Sequence, residues 1–354
     1  MAAAEVNRLN DKDGNFQRPV TVLRNLISQE PGSRFPPEKN RYHLYVSYAC
    51  PWAHRTLIAR KMKGLEDIIS FSVVHWHLDF ETGWRFPTSS EAEVDGENVV
   101  PDPLHDDFTL LRQIYFETDP HYSARFSVPV LYDKIQKVIV NNESSEILRM
   151  FGTEFDDIIE EKYRNISLYP AALQDQIDRV HAWQYDQINN GVYKCGFATT
   201  QDAYDRAVTS LFEALDRAEA HLASSEGPYW FGKEITEVDI RLFVTLVRFD
   251  VCDFPSFPIL KLTKNPVYTF HFKCNIRDIR SGYPRLHTWL RNLYWNVPAF
   301  KDTTNFLHIK NHYTRSHVNI NPPAITAMGP SPHILALEEE VPAVRISKEK
   351  RITK

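Results

Sequence analysis

The junction at Cys50-Pro51 constrains the fold more than any other feature of the chain. Upstream, Tyr42 to Tyr48 reads Tyr-His-Leu-Tyr-Val-Ser-Tyr, a mix of aromatic and β-branched residues at strand length. Downstream, Trp52, Leu57, Ile58, Ala59 and Met62 give an apolar face at helical spacing, and Gly64 stands where a helix stops. Proline suits the first helical turn, where its missing N–H leaves no bond unmade, so strand, turn and helix are predicted with Cys50 at the cap. Ile68 to Trp76, rich in Ile, Phe and Val, supplies a second strand and completes a β-α-β unit with a parallel pair.

A polar stretch, Asp79 to Asp107, reads as a loop or insertion, followed by a helix over Phe108 to Thr118. Val128 to Asp133 and Lys137 to Asn141 form an antiparallel hairpin around a short polar turn, and Glu143-Ser144-Ser145-Glu146 opens a helix running through Phe151. The order β-α-β, then β-β-α, predicts a thioredoxin-like domain. Beyond Phe155 strand signals fade, and apolar residues recur at helical spacing over Leu173 to Ile188, Ala203 to Leu222 and Ile240 to Phe249. Thr236-Glu237-Val238-Asp239 is a capping-box pattern, with Asp in place of Glu, between the staple residues Ile235 and Ile240. The fold class is therefore α/β plus all-α, divided as an N-terminal extension (1–38), a thioredoxin-like domain (39–155), a helical domain (156–323) and a loose tail (324–354) with an acidic run and a basic end.

Composition excludes several function classes. A chain of 354 residues, 43% hydrophobic and 12% aromatic, has ample material for two packed cores. A formal net charge of -5, with scattered Lys and Arg, offers no footprint for nucleic acid. The four cysteines, Cys50, Cys195, Cys252 and Cys274, are far apart and form no Cys-x-x-Cys, which points away from a zinc knuckle or a disulfide framework and toward a reducing compartment. Met1 to Asp13 lacks the apolar stretch of a signal peptide, so a cytoplasmic location is expected. The best membrane candidate, Leu242 to Val251, is broken by Arg248 and Asp250.

A free thiol titrates near about 8.5 and attacks only as thiolate, so Cys50 needs help to react at neutral pH. The unpaired amides and positive dipole end of the following helix supply it, and His54 and Arg55 in the next turn are expected to add to it. Ala53 stands where a second cysteine would be, so Cys50 has no partner within the motif and needs an external thiol. Taken alone, a single cysteine is more often a small buried apolar side chain, and the strand-to-Cys-Pro-helix setting reverses that preference. Val128-Pro129 sits where a thioredoxin-like fold places a cis-proline, although by position it also reads as an edge-strand proline. Glu143-Ser144 offers a carboxylate, a hydroxyl and helix amides for an amino-acid head group, or else a plain helix cap.

Together these residues resemble the glutathione transferases, and longer strings narrow the resemblance to the S-glutathionyl-hydroquinone reductases, the Xi class, related to the omega class. The strings include Asp13-Gly14-Asn15-Phe16, Arg24-Asn25, Ala49 to Thr56, Gly83-Trp84, Val128 to Leu131 and Asn142 to Ile147. Gly191 to Ala198, Phe272 to Arg277, His308 to Tyr313, Ser316-His317 and Ile320-Asn321-Pro322 extend it over most of the chain, with a local departure at Val22-Leu23 and an unmatched tail after about Pro330. The resemblance implies Cys50 and Tyr193 as catalytic residues. It further implies a glutathione site of Trp84, Arg125, Phe126, Ser127, Val128, Glu143 and Ser144, with Val128 acting through its backbone, and Tyr268 and Tyr313 beside the quinol ring. Glutathione as co-substrate, glutathionylated quinols as partners and a homodimer are likewise implied.

On this reading Cys50 attacks the sulfur of a glutathionylated hydroquinone, Tyr193 protonates the leaving ring, and a second glutathione resolves the mixed disulfide. Tyr268 and Tyr313 are expected to lower the Tyr193 pKa toward neutrality. Two other readings use the same residues: an omega-like thioltransferase or dehydroascorbate reductase, and a non-catalytic module of the same fold. No metal is expected. His75-Trp76-His77 puts two histidines on one strand face without a third ligand, and His308, His312 and His317 look like parts of a structural loop. Ser144 lacks a nucleophile-elbow sequence.

Overall fold

The computed structural model describes residues 9–250, 267–326 and 332–339. Cys252, the end of the apolar window at Val251 and the basic end of the tail lie outside the described residues. Leaving single turns unnumbered, the first domain runs β1 (Tyr42–Val46), α1 (Pro51–Met62), β2 (Ser70–Val73), β3 (Leu78–Asp79), β4 (Gly83–Trp84), α2 (Arg112–Thr118), β5 (Val130–Asp133), β6 (Val138–Asn141) and α3 (Ser144–Thr153). The main sheet has the order β2-β1-β5-β6. β1 pairs parallel with β2, Val46 opposite Val73, and antiparallel with β5, Tyr45 opposite Val130. This is the thioredoxin-like arrangement, with α1 and α3 packed against each other.

Several boundaries are shorter than the apolar patterns. β1 stops at Val46 because Ser47 begins the turn, its carbonyl accepting the Cys50 N–H at 3.1 Å. The helix expected from Phe108 begins only at Arg112, because Gln113 Oε1 accepts the Thr109 and Leu110 N–H groups at 2.9 Å each and holds them outside the helix. The polar stretch from Asp79 carries structure of its own: β3 and β4 pair antiparallel, and the Asp79 carboxylate accepts the Glu81 and Thr82 N–H groups in the turn between them.

The chain then becomes helical, with α4 (Gln174–Trp183), α5 (Gly191–Phe197), α6 (Gln201–Ser224), α7 (Glu237–Leu246), α8 (Pro284–Asn296) and α9 (Phe306–Arg315). α7 is buried along its whole length and packs on α1, tying the helical domain to the sheet domain. Its start is the expected capping box: Asp239 Oδ2 accepts the Thr236 N–H at 3.0 Å, while Oδ1 accepts Trp230 N–H and Trp289 Nε1–H. The helix expected through Ile188 changes to π-type winding over Gln184–Asn189. This slips one residue into the turn and presents Asn189 and Asn190 to different neighbours.

Two segments expected at the margins join the body of the protein. Residues from Asn10 onward lie across both domains: Asn10 donates to the Phe197 carbonyl at 2.8 Å, and Asn25 N–H donates to the Val140 carbonyl at 2.9 Å. The tail expected to be loose is docked over residues 332–339. Ile334 and Leu335 are buried, Trp295 Nε1–H donates to the Leu335 carbonyl at 2.8 Å, and Arg280 donates to the His333 carbonyl at 3.0 Å. Two apolar side chains and two backbone acceptors suffice to hold a segment that composition alone marks as polar. Among the described residues no helix is long and apolar enough to cross a membrane.

Candidate active site

Cys50 caps α1 in extended geometry, with Pro51 as the first helical residue and the Cys50 carbonyl accepting the His54 N–H at 3.0 Å. Its half-buried sulfur lies 3.5 Å from the Val128 carbonyl, whose peptide with Pro129 is cis. The turn is held from the other domain. Arg248 is fully buried and donates through Nε to the Ala49 carbonyl at 3.0 Å, through Nη2 to the Tyr48 carbonyl at 2.9 Å and through Nη1 to the Val244 carbonyl at 2.6 Å. Nη1 also meets His54 Nδ1 at 3.2 Å, which fixes the neutral tautomer with the proton on Nε2, donated to Thr303 Oγ1 at 2.9 Å.

The electrostatics differ from the expectation. Burial pushes the Cys50 thiol up; the amides of Ala53 and Trp52 and the charges of Arg248 and Arg18 pull it down without cancelling that effect, so the thiol titrates above its ordinary value. His54 does not add charge, because burial and the neighbouring Arg248 keep it neutral. Arg55 points away to Asn189 Oδ1 at 2.8 Å, and burial lowers it to about 9. The positive charges near Cys50 come from Arg248 and Arg18, which are remote in sequence.

Cys50 opens into a cavity of about 350 Å3. Trp84, Arg125, Ser127, Val128, Glu143 and Ser144 all line it, with Tyr193 and Tyr313 on another wall. Trp84 stacks on His312, centroids 5.2 Å apart. Glu143 Oε1 accepts the Ser145 N–H and hydroxyl, and Oε2 accepts the Thr21 hydroxyl. Burial raises the Glu143 pKa, but these donors and the Arg55 charge outweigh it, and the carboxyl ends below its usual value. Phe126, expected among the glutathione contacts, does not reach the cavity; its ring packs with Tyr115, Phe116 and Tyr122 behind the wall.

Tyr193, on α5, meets Tyr313 hydroxyl to hydroxyl at 2.9 Å, and Tyr313 meets Tyr268 at 2.9 Å. Tyr313 is therefore the middle of a three-phenol chain, and Tyr268 is fully buried behind it rather than on the cavity wall. The expected fall of the Tyr193 pKa is not found. Burial and the neighbouring Cys50 raise it, and Arg18 with the two phenols offsets only part of that rise.

Several wall residues were not predicted as part of the site: Phe16, Arg18 and Thr21 from the N-terminal extension, Trp52, expected only on the apolar face of α1, and His312 and His317, expected in a structural loop. The strings Asp13 to Phe16, Ala49 to Thr56, His308 to Tyr313 and Ser316-His317 contain Phe16, Trp52, His312 and His317, whereas Arg18 and Thr21 fall in none of them. Among candidate metal ligands, the His75 and His77 pair lies past the end of β2, with the His77 N–H donating to His75 Nδ1 at 3.0 Å. Asp178, His181 and Glu237 bring ligand atoms within 4.8 Å of one another. Arg149 binds both carboxylates and Arg241 binds Glu237, so this is an ion-pair network between arginines and acids.

A thioredoxin-like domain that presents a lone capping cysteine to a cavity shared with a helical domain defines a thiol enzyme of glutathione transferase type. Residues 49–154 match the glutathione S-transferase N-terminal domain, and residues 201–292 match the C-terminal domain. The glutathione S-transferase omega-like 2 of Schizosaccharomyces pombe is 48% identical, covering 94% of this chain and 99% of its own. Glutathionyl-hydroquinone reductase YqjG of Escherichia coli is 47% identical over 90% of this chain and 89% of its own. Its glutathione-bound structure covers 87% of this chain and 92% of its own with a TM-score of 0.76. The glutathione S-transferase Xi of Phanerochaete chrysosporium is 51% identical, covers 93% of this chain and 97% of its own, and superposes with a TM-score of 0.82. The chain belongs to the glutathione transferase family, in its Xi class.

Proposed function

We propose that this protein is a glutathionyl-hydroquinone reductase that removes glutathione from a hydroquinone ring. The observation that carries the reading is the single cavity in which the Cys50 thiol, at a helix start, faces Tyr193 and its chain of phenols. The name of the E. coli relative, a glutathionyl-hydroquinone reductase, supports it. Glu143 and the first amides of α3 suit the γ-glutamyl head group, the carboxylate for its ammonium and the amides for its carboxylate. Trp84, Arg125, Ser127 and the Val128 backbone take the rest of the tripeptide, and the aromatic wall takes the quinol. The division at residue 155 then separates a glutathione domain from a substrate domain. A homodimer in the cytoplasm is part of the same proposal.

An omega-like thioltransferase activity uses the same sulfur, and the S. pombe relative is named an omega-like glutathione S-transferase. Rates on a glutathionyl-hydroquinone, hydroxyethyl disulfide and dehydroascorbate separate the two. The direct test incubates wild type and Cys50→Ser with a glutathionyl-hydroquinone. Wild type releases hydroquinone and shows a glutathione adduct on Cys50 by mass spectrometry, and the variant does neither. Hydroquinone release by Cys50→Ser at the wild-type rate removes Cys50 from the mechanism.

A further inference from the structure

The N-terminal extension brings a guanidinium to the catalytic pair, and the reaction above gives that charge no role. Arg18 lies 4.6 Å from the Trp52 ring centroid and 4.7 Å from that of Tyr193, with Phe16 at 5.4 Å. Its Nε donates to Oδ1 of the buried Asn190, the residue that ends the π-type turn. Its Nη2 is buried without a hydrogen-bond partner, and among the described residues no ion pair engages it. A buried donor without an acceptor is costly, and such groups persist where a ligand or an intermediate supplies the acceptor.

We propose that Arg18 is an electrostatic positioning residue whose guanidinium balances the Cys50 thiolate before attack and the Tyr193 phenolate after it. This rests on the reductase reading above. In the first half-reaction Cys50 attacks the glutathionyl sulfur. The new S–S bond forms as the sulfur to ring-carbon bond breaks, and the electron pair on that carbon takes the Tyr193 proton. The ring is reduced, the two sulfurs are oxidised to a disulfide, and one negative charge has moved from Cys50 to Tyr193. In the second half-reaction a glutathione thiol returns its proton to Tyr193 and, as thiolate, attacks the glutathione sulfur of the mixed disulfide. Oxidised glutathione leaves and Cys50 is again a thiolate.

At each stage one anion lines the cavity beside Arg18. Burial opposes both anions, and the Arg18 charge acts against that opposition at both groups. Arginine suits the position because a planar, weakly hydrated guanidinium stacks between rings and keeps its charge.

The test reads Cys50 directly. Iodoacetamide alkylation of Cys50 is followed against pH in wild type, Arg18→Met, Arg18→Lys and Asn190→Asp. In Arg18→Met the alkylation midpoint moves upward, the rate at neutral pH falls about tenfold, and kcat on a glutathionyl-hydroquinone falls with it. Arg18→Lys lies between. Asn190→Asp sets a carboxylate against the guanidinium without removing it and moves the midpoint the same way, so the outcome does not depend on how well the arm of Arg18→Met docks. If the profiles of Arg18→Met and Asn190→Asp both superpose on wild type while only thermal stability falls, Arg18 is an anchor for the arm and the proposal is overturned. Alkylation needs no quinol, so this result stands apart from failure of the reductase reading, which appears as wild-type protein that releases no hydroquinone.

Discussion

Tyr313 sits between two phenols and shares hydrogen bonds with both, so its hydroxyl governs how the Tyr193 oxygen is held. Tyr313→Phe keeps the ring and removes both bonds. A hydrogen bond to a developing phenolate is worth about 1.5–3 kcal/mol, so kcat on a glutathionyl-hydroquinone is expected to fall roughly tenfold or more. Glutathionylation of Cys50 by a small disulfide stays near the wild-type rate, since that step needs no acid. Equal losses in both assays would argue against a role at the quinol. At this scale the sequence is informative where chemistry is local. Cys50 at a cap follows from the residues beside it, whereas its reactivity does not. The opposing effects are burial and two guanidiniums 32 positions before and 198 after it, and a sum over distant residues leaves no pattern in the neighbourhood of the cysteine.

Secondary elements show a similar division. The capping box at Thr236 and the strand-turn-helix at Cys50 were legible because each needs particular residue types at fixed spacing. The π-type turn at Gln184–Asn189 was not, since an apolar pattern at helical spacing tolerates one slipped residue. The elements flanking the tyrosines leave little room for change. Gly196 in α5 lies against the buried Phe272 ring, and a Cβ there would fall 2.4 Å from Phe272 Cδ1. Gly196→Ala must therefore displace the ring that stacks on Tyr268. Overpacking of this kind costs about 1–3 kcal/mol, read as a lower thermal midpoint, with turnover falling in parallel. An unchanged midpoint would mean that α5 moves freely away from Phe272.

Considered whole, the molecule buries many neutral imidazoles. Burial lowers His43, His308 and His312 to about 3, and His75, His271 and His287 to about 4. An unfolded histidine takes up its proton near about 6.5, so between that pH and 3 to 4 the unfolded chain binds more protons than the folded one. The contribution of these groups is complete above about pH 6.5 and declines as the pH falls toward the folded values. Thermal unfolding should show a midpoint that is steady above pH 7 and drops below 6.5, with part of the slope removed in His43→Gln. A midpoint constant from pH 7 to pH 5 would exclude the histidines from the acid response. The two-domain plan was readable from where strand patterns stop and helical spacing takes over. The strap formed by the N-terminal extension was not, because its anchors are backbone bonds and cation-ring contacts that composition does not record.

Arg248 has a consequence for how such enzymes can be altered or inherited. It belongs to the helical domain but closes the turn that holds the nucleophile of the other domain, with three carbonyls and an imidazole as its partners. A chimera that joined this sheet domain to a helical domain lacking the arginine would keep every residue of the Cys-Pro motif and still present a differently aimed sulfur. The two halves are therefore expected to change together, and recombination between relatives should succeed only where the arginine, in the turn that follows α7, travels with the sheet domain whose turn it closes.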